Sequence, residues 1–259
     1  MREWPLEPKR QLLHEGPFFK VLAEGDDQKE TLPQTGTVRR LTMATPPPPP
    51  PPRGRGDELA VLVGYASAHG STRGIAERIA AQLGENGFAV AVRPVDEIDD
   101  VNEFDAVVVG SAIHDGAWLP EGSDFVHRHL TALASRPVWL FSVGLVGESS
   151  SAFPAAVAAQ LRALRRSPKE IAHFRKATHA LDHAEFAGAI QRDQWPRSDR
   201  VIFRGMRGRY GDHRDWDDID AWTDEIVTGL RAAARAAARA ATRVSMTESA
   251  KDMQASARG

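Results

Sequence analysis

Cysteine is absent from this chain of 259 residues, which excludes disulfide staples, thiolate zinc or iron–sulfur sites and any cysteine nucleophile. Long apolar runs are also missing. Stretches such as Ala106 to Val109 and Val138 to Phe141 fall far below the ~18 residues of a membrane span, so no bilayer-crossing helix is expected. The N-terminus, Met1-Arg-Glu-Trp-Pro-Leu-Glu-Pro8, mixes charges and prolines where a signal peptide needs a continuous apolar region. A cytoplasmic location is therefore the expectation, with peripheral contact at the inner face of a membrane left open. An overall excess of charge is lacking too, the formal net being −2, and nothing in that balance calls for a nucleic acid. What is present is 42% hydrophobic residues in a length that suits one domain plus tails.

Proline divides the chain. Of 17 prolines, 11 precede residue 58, seven of them consecutive at Pro46 to Pro52, and the surrounding segment shows no sustained period. Residues 1–57 read as a disordered leader whose polyproline II run acts as a spacer or an SH3-type ligand. From residue 58 to 230 short apolar runs alternate with amphipathic stretches, the βαβα pattern of a parallel sheet covered on both faces. Five strands are expected, at Leu59 to Ala66, Phe88 to Arg93, Asp105 to Ser111, Pro137 to Val143 and Ala184 to Ile190.

Helices are expected between the first two strands, where Ile75, Ala76, Ile79, Ala80 and Leu83 recur at helical spacing, and at Pro120 to Ala134, Ser151 to Arg166 and Asp217 to Leu230. The first starts at Ser71 or Thr72 and stops at Asn86-Gly87. Residues 231–259 place Arg231, Arg235, Arg239 and Arg243 four apart among alanines, which prolongs the last helix before a disordered end. Segment charges differ: residues 58–230 carry 18 basic against 25 acidic residues, while the leader and tail are net positive.

The segment Val61 to Ala80 reads as a strand, a short turn rich in hydroxyls and glycine, then a helix. That arrangement binds phosphate, because backbone N–H groups freed at the helix start and the hydroxyls of Ser67, Ser71 and Thr72 can surround the dianion while Gly70 allows close approach. No lysine follows Gly70, so a nucleoside triphosphate is disfavoured and a monophosphate is not.

Ser67-Ala68-His69-Gly70-Ser71-Thr72 resembles the flavodoxin phosphate loop, in which hydroxyl residues and one glycine precede a helix-starting threonine and hold the phosphate of FMN. Val107-Val-Val-Gly-Ser-Ala-Ile-His-Asp-Gly116, Leu140-Phe-Ser-Val-Gly-Leu145 and Phe186-Ala-Gly-Ala-Ile190 are similar, in order and in position at strand ends, to the menaquinone-dependent protoporphyrinogen IX dehydrogenases. The resemblance implies a flavodoxin-like doubly wound α/β fold with strand order 2-1-3-4-5, FMN as cofactor, a porphyrinogen as reductant and a quinone as oxidant. In such a sheet the ligand sits beyond the carboxyl ends of the strands, at the switch point between strands one and three.

Three loops meet there. Ser67 to Thr72 would hold the phosphate. Ser111, Ala112, Ile113, His114, Gly116 and Trp118 on one side, and Gly144, Leu145, Val146 and Gly147 on the other, would flank the flavin ring. Trp118 either stacks on that ring or covers an edge of the core. Leu145 and Val146 stand where flavodoxins place an aromatic, which leaves a flavin face open to a substrate. His114 and Asp115 are the only candidates near the ring for moving a proton, and no side-chain acid or base is otherwise assigned.

After the fifth strand, Arg192, Arg197, Arg200, Arg204, Arg207, Arg209 and Arg214 outnumber Asp193, Asp199 and Asp212, with Val201, Ile202, Phe203, Met206 and Tyr210 interleaved. Arginines beside apolar residues suit an amphiphilic anion such as a porphyrinogen with its propionates, or an anionic membrane surface. Substrate or membrane contact is accordingly expected from Arg192, Arg197, Arg200, Arg204 and Arg207. A metal is not: His127 and His129 lie on different sides of a helix, and His179 and His183 run directly into the fifth strand.

Overall fold

Valine at every position from Val107 to Val109 makes a strand with no polar face, and in the computed structural model all three side chains are buried, Val108 against one helical layer and its two neighbours against the other. The structure describes residues 59–164, 169–192 and 197–256; the expected leader lies outside them. Strand β1 (Ala60–Ala66) leads through helix α1 (Ser71–Glu85) to β2 (Ala89–Pro94) and β3 (Ala106–His114), which folds back on the short β4 (Ala117–Trp118). Helices α2 (Pro120–Arg128) and α3 (Leu130–Ala134) precede β5 (Val138–Gly144), then α4 (Ala155–Leu164), α5 (Lys169–Thr178) and β6 (Asp182–Ala187). The chain ends through β7 (Ala189–Ile190), α6 (Arg197–Gly205), β8 (Gly211–Asp212) and α7 (Trp216–Ser256).

The sheet runs β2-β1-β3-β5-β6 with every pairing parallel, which is order 2-1-3-4-5 when its five long strands are counted along the chain. Register aligns Ala66 with Ser111, Ala112 with Val143 and Gly144 with Ala187, so the loops after β1, β3, β5 and β6 emerge at one edge. On one face Ile75, Ile79 and Leu83 of α1 pack with Ile219, Trp222, Ile226 and Leu230 of α7. On the other, Phe125 and Val126 of α2 pack with Ile171 and Phe174 of α5.

Helix α1 ends as its sequence predicts: Gly87, at φ 88°, donates to Gly84 O while Phe88 donates to Leu83 O, closing a Schellman cap that a Cβ at position 87 would strain. Within the sheet, the Phe141 ring lies over its cross-strand neighbour Gly110, in the space a Cβ would need.

Several element boundaries differ from expectation; β3 runs on to His114 where an end at Ser111 was expected, and the fifth strand starts at Asp182 rather than Ala184. The helix expected over Pro120 to Ala134 breaks at His129 (φ −104°). The helix expected from Ser151 begins at Ala155, because Ser151 pairs with Val146 and its Oγ accepts from Phe153 N. The fifth strand stops at Ala187 rather than Ile190. There Gly188 N bonds Gly144 O and Ala189 N turns away to Ser71 Oγ at 2.8 Å, so Ala189 and Ile190 pair antiparallel with β8 instead. Helix α5 has no counterpart in the sequence reading.

The α2–α3 break leaves a titratable group inside. His129 packs its ring on Phe125 at 4.9 Å, and its Nε2 is buried without a partner. Burial, then the neighbouring Arg128, holds the imidazole below the usual histidine range. A depressed folded pKa means the contribution to stability is intact above about pH 6.5, the unfolded value, and is lost as pH falls through the folded one. Urea unfolding at pH 7.5 and 5.5 is expected to show a smaller acid loss in His129→Gln than in the parent chain; equal losses would place the titration elsewhere.

Candidate functional site

Gly70 opens α1 in the left-handed region (φ 86°), and the helix start has neither a side-chain cap nor an acidic residue in its first turn. Its first free N–H groups therefore point outward at the carboxyl edge of the sheet with their partial positive charge uncompensated. Ser67 Oγ accepts from Gly70 N at 3.0 Å and fixes the turn, while Ala68 and His69 stand exposed at its tip. Ser71 Oγ, bonded by Ala189 N, keeps its own proton to donate. Thr72 is 1% exposed, and its Oγ1 has no hydrogen-bond partner. A buried hydroxyl without a partner is costly, and here it lies in the first turn of a helix whose N–H groups are also free. The donor set suits a phosphate monoester.

The second loop is a tight hairpin. Asp115 (φ 50°) and Gly116 (φ 79°) form its two-residue turn, as the mirror-image turns of hairpins require. His114 and Asp115 stand exposed at the tip with Nε2 and Oδ2 3.7 Å apart. Ala112 and Ile113 are half-buried, packing on the α2 side, and Ser111 is buried, its Oγ accepting from Leu119 N at 3.0 Å.

Beyond β6, α6 and the β7–β8 ribbon enclose a separate small core of Val146, Ala152, Phe153, Ile190 and Phe203. Phe153 and Phe203 meet edge to face at 5.3 Å, and this core seats α6 upon the loop after β5. Arg197, Arg200 and Arg204 recur at helical spacing along α6, with Val201 between them at 73% exposure. Arg192, Arg204 and Arg207 are exposed and Arg200 is half-buried; Arg207 sits at φ 58° just past the helix. The side chain of Arg197 lies outside the described residues.

A sequence profile described as the flavodoxin domain matches residues 62–217, from the third residue of β1 through the other four long strands and the loops between them. The chain belongs to the flavodoxin-domain family. Among curated proteins it is similar to protoporphyrinogen IX dehydrogenase [quinone] of Escherichia coli (strain K12), 27% identical over 184 residues, covering 65% of this chain and 94% of that protein. Among solved structures it is similar to a mutant flavodoxin from Pseudomonas aeruginosa, at 11% identity and TM-score 0.43 over 67% of this chain and 99% of that one. It is also similar to rubredoxin oxygen:oxidoreductase of Desulfovibrio gigas, at 15% identity and TM-score 0.42 over 68% of this chain, the match spanning 37% of that protein.

Three of the expected ring-flanking residues of this flavodoxin-domain chain turn inward. Trp118 is 3% exposed, its Nε1 donates to Ser142 Oγ at 2.8 Å, and its ring packs on Phe174 at 5.6 Å, so it belongs to the core and has no face free for stacking. Val146 and Gly147 also turn inward, Val146 into the small core beneath α6. A Cβ at Gly147 would collide with the backbone of Ala187. Arg162 closes this loop by donating to Gly147 O and Ser150 O, which leaves Gly144 and half-buried Leu145 as its members nearest the strand end.

Two side-chain groupings go beyond the sequence reading, which names Arg214 only among the arginines after the fifth strand. Ser142 Oγ, accepting from Trp118, lies 2.8 Å from His183 Nε2, a buried polar chain assembled from three strands. Arg214 is held by Asp212 (Nε to Oδ1 2.8 Å, Nη2 to Oδ2 2.6 Å) and lies 4.5 Å over the Trp216 ring. This hydrogen bonding keeps the Asp212 carboxyl below its ordinary range. Trp216 and Arg214, with Ser150, Ser151, His213, Asp215 and Asp217, line a cavity of about 350 Å³. Among the described residues no group of acidic and histidine side chains is placed to hold a metal, and no helix is long and apolar enough to cross a membrane.

Proposed function

We propose that this chain is an FMN-dependent oxidoreductase that oxidises protoporphyrinogen IX, or a similar amphiphilic anion, with a quinone as electron acceptor. The observation that carries the cofactor is the unpartnered, buried Thr72 Oγ1 in the first turn of an uncapped helix. The substrate class draws on the E. coli relative, whose name specifies it, and on the arginines of α6.

Bound FMN would supply the two-electron redox chemistry that this cysteine-free chain has no thiols to perform. The free N–H groups at the start of α1 and the hydroxyls of Ser71 and Thr72 would hold the phosphate. The hairpin from Ser111 to Trp118 would line the cofactor with its backbone and with Ala112 and Ile113. His114 and Asp115, exposed side by side at that tip, would be the side chains there that could help move a proton. Arg200 and Arg204, with Val201 between them, would meet the carboxylates and apolar edge of the substrate, or the anionic inner surface of a membrane where porphyrinogens and quinones are found.

Anaerobic mixing of the FMN-loaded chain with protoporphyrinogen IX and then a menaquinone analogue tests this reading: the yellow flavin absorbance should bleach and return. FMN uptake without bleaching would favour a flavodoxin-type electron carrier, whose acidic surface docks basic partners. Replacing Arg200, Arg204 and Arg207 together with glutamine is expected to leave FMN affinity unchanged and raise the KM for the porphyrinogen several-fold. Loss of FMN in that variant would assign the segment a structural role only.

A further inference from the structure

Gly74 is an anomaly in α1, since glycine is unfavourable inside a helix and nothing in its backbone requires one here. The space its side chain would fill is occupied: Nη1 of Arg214 stands where a Cβ would reach, so an alanine there would push the end of the guanidinium aside. Position 74 is one turn from Gly70 and Ser71, and Gly74 N bonds Gly70 O at 3.0 Å. Because a Cβ leans toward the helix N-terminus, a group seated in its place lies toward the Gly70–Ser71 end. The same approach is fixed twice more, by Ala189 N on Ser71 Oγ and by His213 N on Gly188 O.

Arg214 is also oriented. Asp212 takes Nε and Nη2, the Trp216 ring covers one face of the guanidinium, and Nη1 is left facing α1. Their charges are unequally screened, for the Arg214 side chain is 19% exposed and that of Asp212 47%. Asp215, also beside the cavity, has its Oδ1 occupied in capping Asp218 N. The cation therefore acts toward the helix start while its counter-charge faces water.

We infer that Arg214, seated in the notch over Gly74, is the cationic member of the phosphate cradle and makes the site select a phosphorylated flavin over the unphosphorylated one. This rests on the FMN reading above and adds to it a specificity residue from the far end of the fold. It adds a second positive charge to that of Arg73, which lies exposed in the first turn of α1 and is paired with Glu77.

Titrating the full-length apo chain with FMN and with riboflavin, at low and high salt, tests the assignment by flavin fluorescence. The parent chain should prefer FMN, with the preference shrinking as salt rises. Arg214→Gln should weaken FMN by about tenfold and leave riboflavin unchanged. Gly74→Ala should shift selectivity the same way while keeping or raising the thermal midpoint, and it carries the test if Arg214→Gln does not fold. Equal losses for both flavins, or no loss, overturn the role of Arg214 while leaving the FMN reading in place. A parent chain that takes up neither flavin overturns both.

Discussion

Thr72→Val is expected to weaken FMN binding by roughly ten- to a hundredfold, the equivalent of the ~1.5–3 kcal/mol of a hydrogen bond to a charged group. The apoprotein should at the same time be as stable as the parent or more so. The two signs follow from one observation. Thr72 is 1% exposed with its hydroxyl unpaired, so without a ligand the fold bears the desolvation of that group and receives nothing for it. Valine has nearly the same shape and removes the polar atom, which costs the empty fold nothing and the phosphate one donor. Fluorescence titration gives the affinity and urea unfolding of the apoprotein gives the stability. A variant that binds FMN normally would show that the loop is not the phosphate cradle. One that unfolds more easily would show that the hydroxyl has a structural partner.

The strand, turn and helix start proposed to hold the phosphate were legible because their parts are contiguous: a buried strand, a glycine, hydroxyls and a helix start within the stretch from Val61 to Ala80. The parallel sheet was legible for a related reason. Runs such as Val107 to Val109 have no polar side, and a short β-branched run of that kind suits a strand covered on both faces. The residues around the expected flavin ring were harder. An apolar loop residue reads the same whether it faces a ligand or a small core, and Val146 faces the core because Phe153 and Phe203, distant in sequence, close over it. The Arg214–Gly74 contact joins positions 140 apart, and its one local trace was a glycine inside a helical pattern. The break at His129 left no trace of its own, since Pro120 to Ala134 contains nothing that stops a helix.

Trp118→Ala is expected to destabilise the fold by about 3–5 kcal/mol, the cost of deleting a large buried aromatic. Trp118→Phe should cost about 1–2 kcal/mol, because the ring contact with Phe174 survives and only the indole N–H to Ser142 is lost. Ser142 keeps its bond with His183 in either variant, so no buried hydroxyl is stranded. If the ring is part of the core, the urea midpoint falls in both variants with the slope unchanged, while the phenylalanine variant binds FMN with the parent's affinity. If the ring instead stacks on the flavin, the order inverts: affinity and the flavin spectrum change while stability holds. The indole hydrogen bond, joining β4 to β5 beneath the hairpin, favours the first outcome. On that basis Trp118 would act on a bound cofactor only by holding the hairpin of His114 and Asp115 in place.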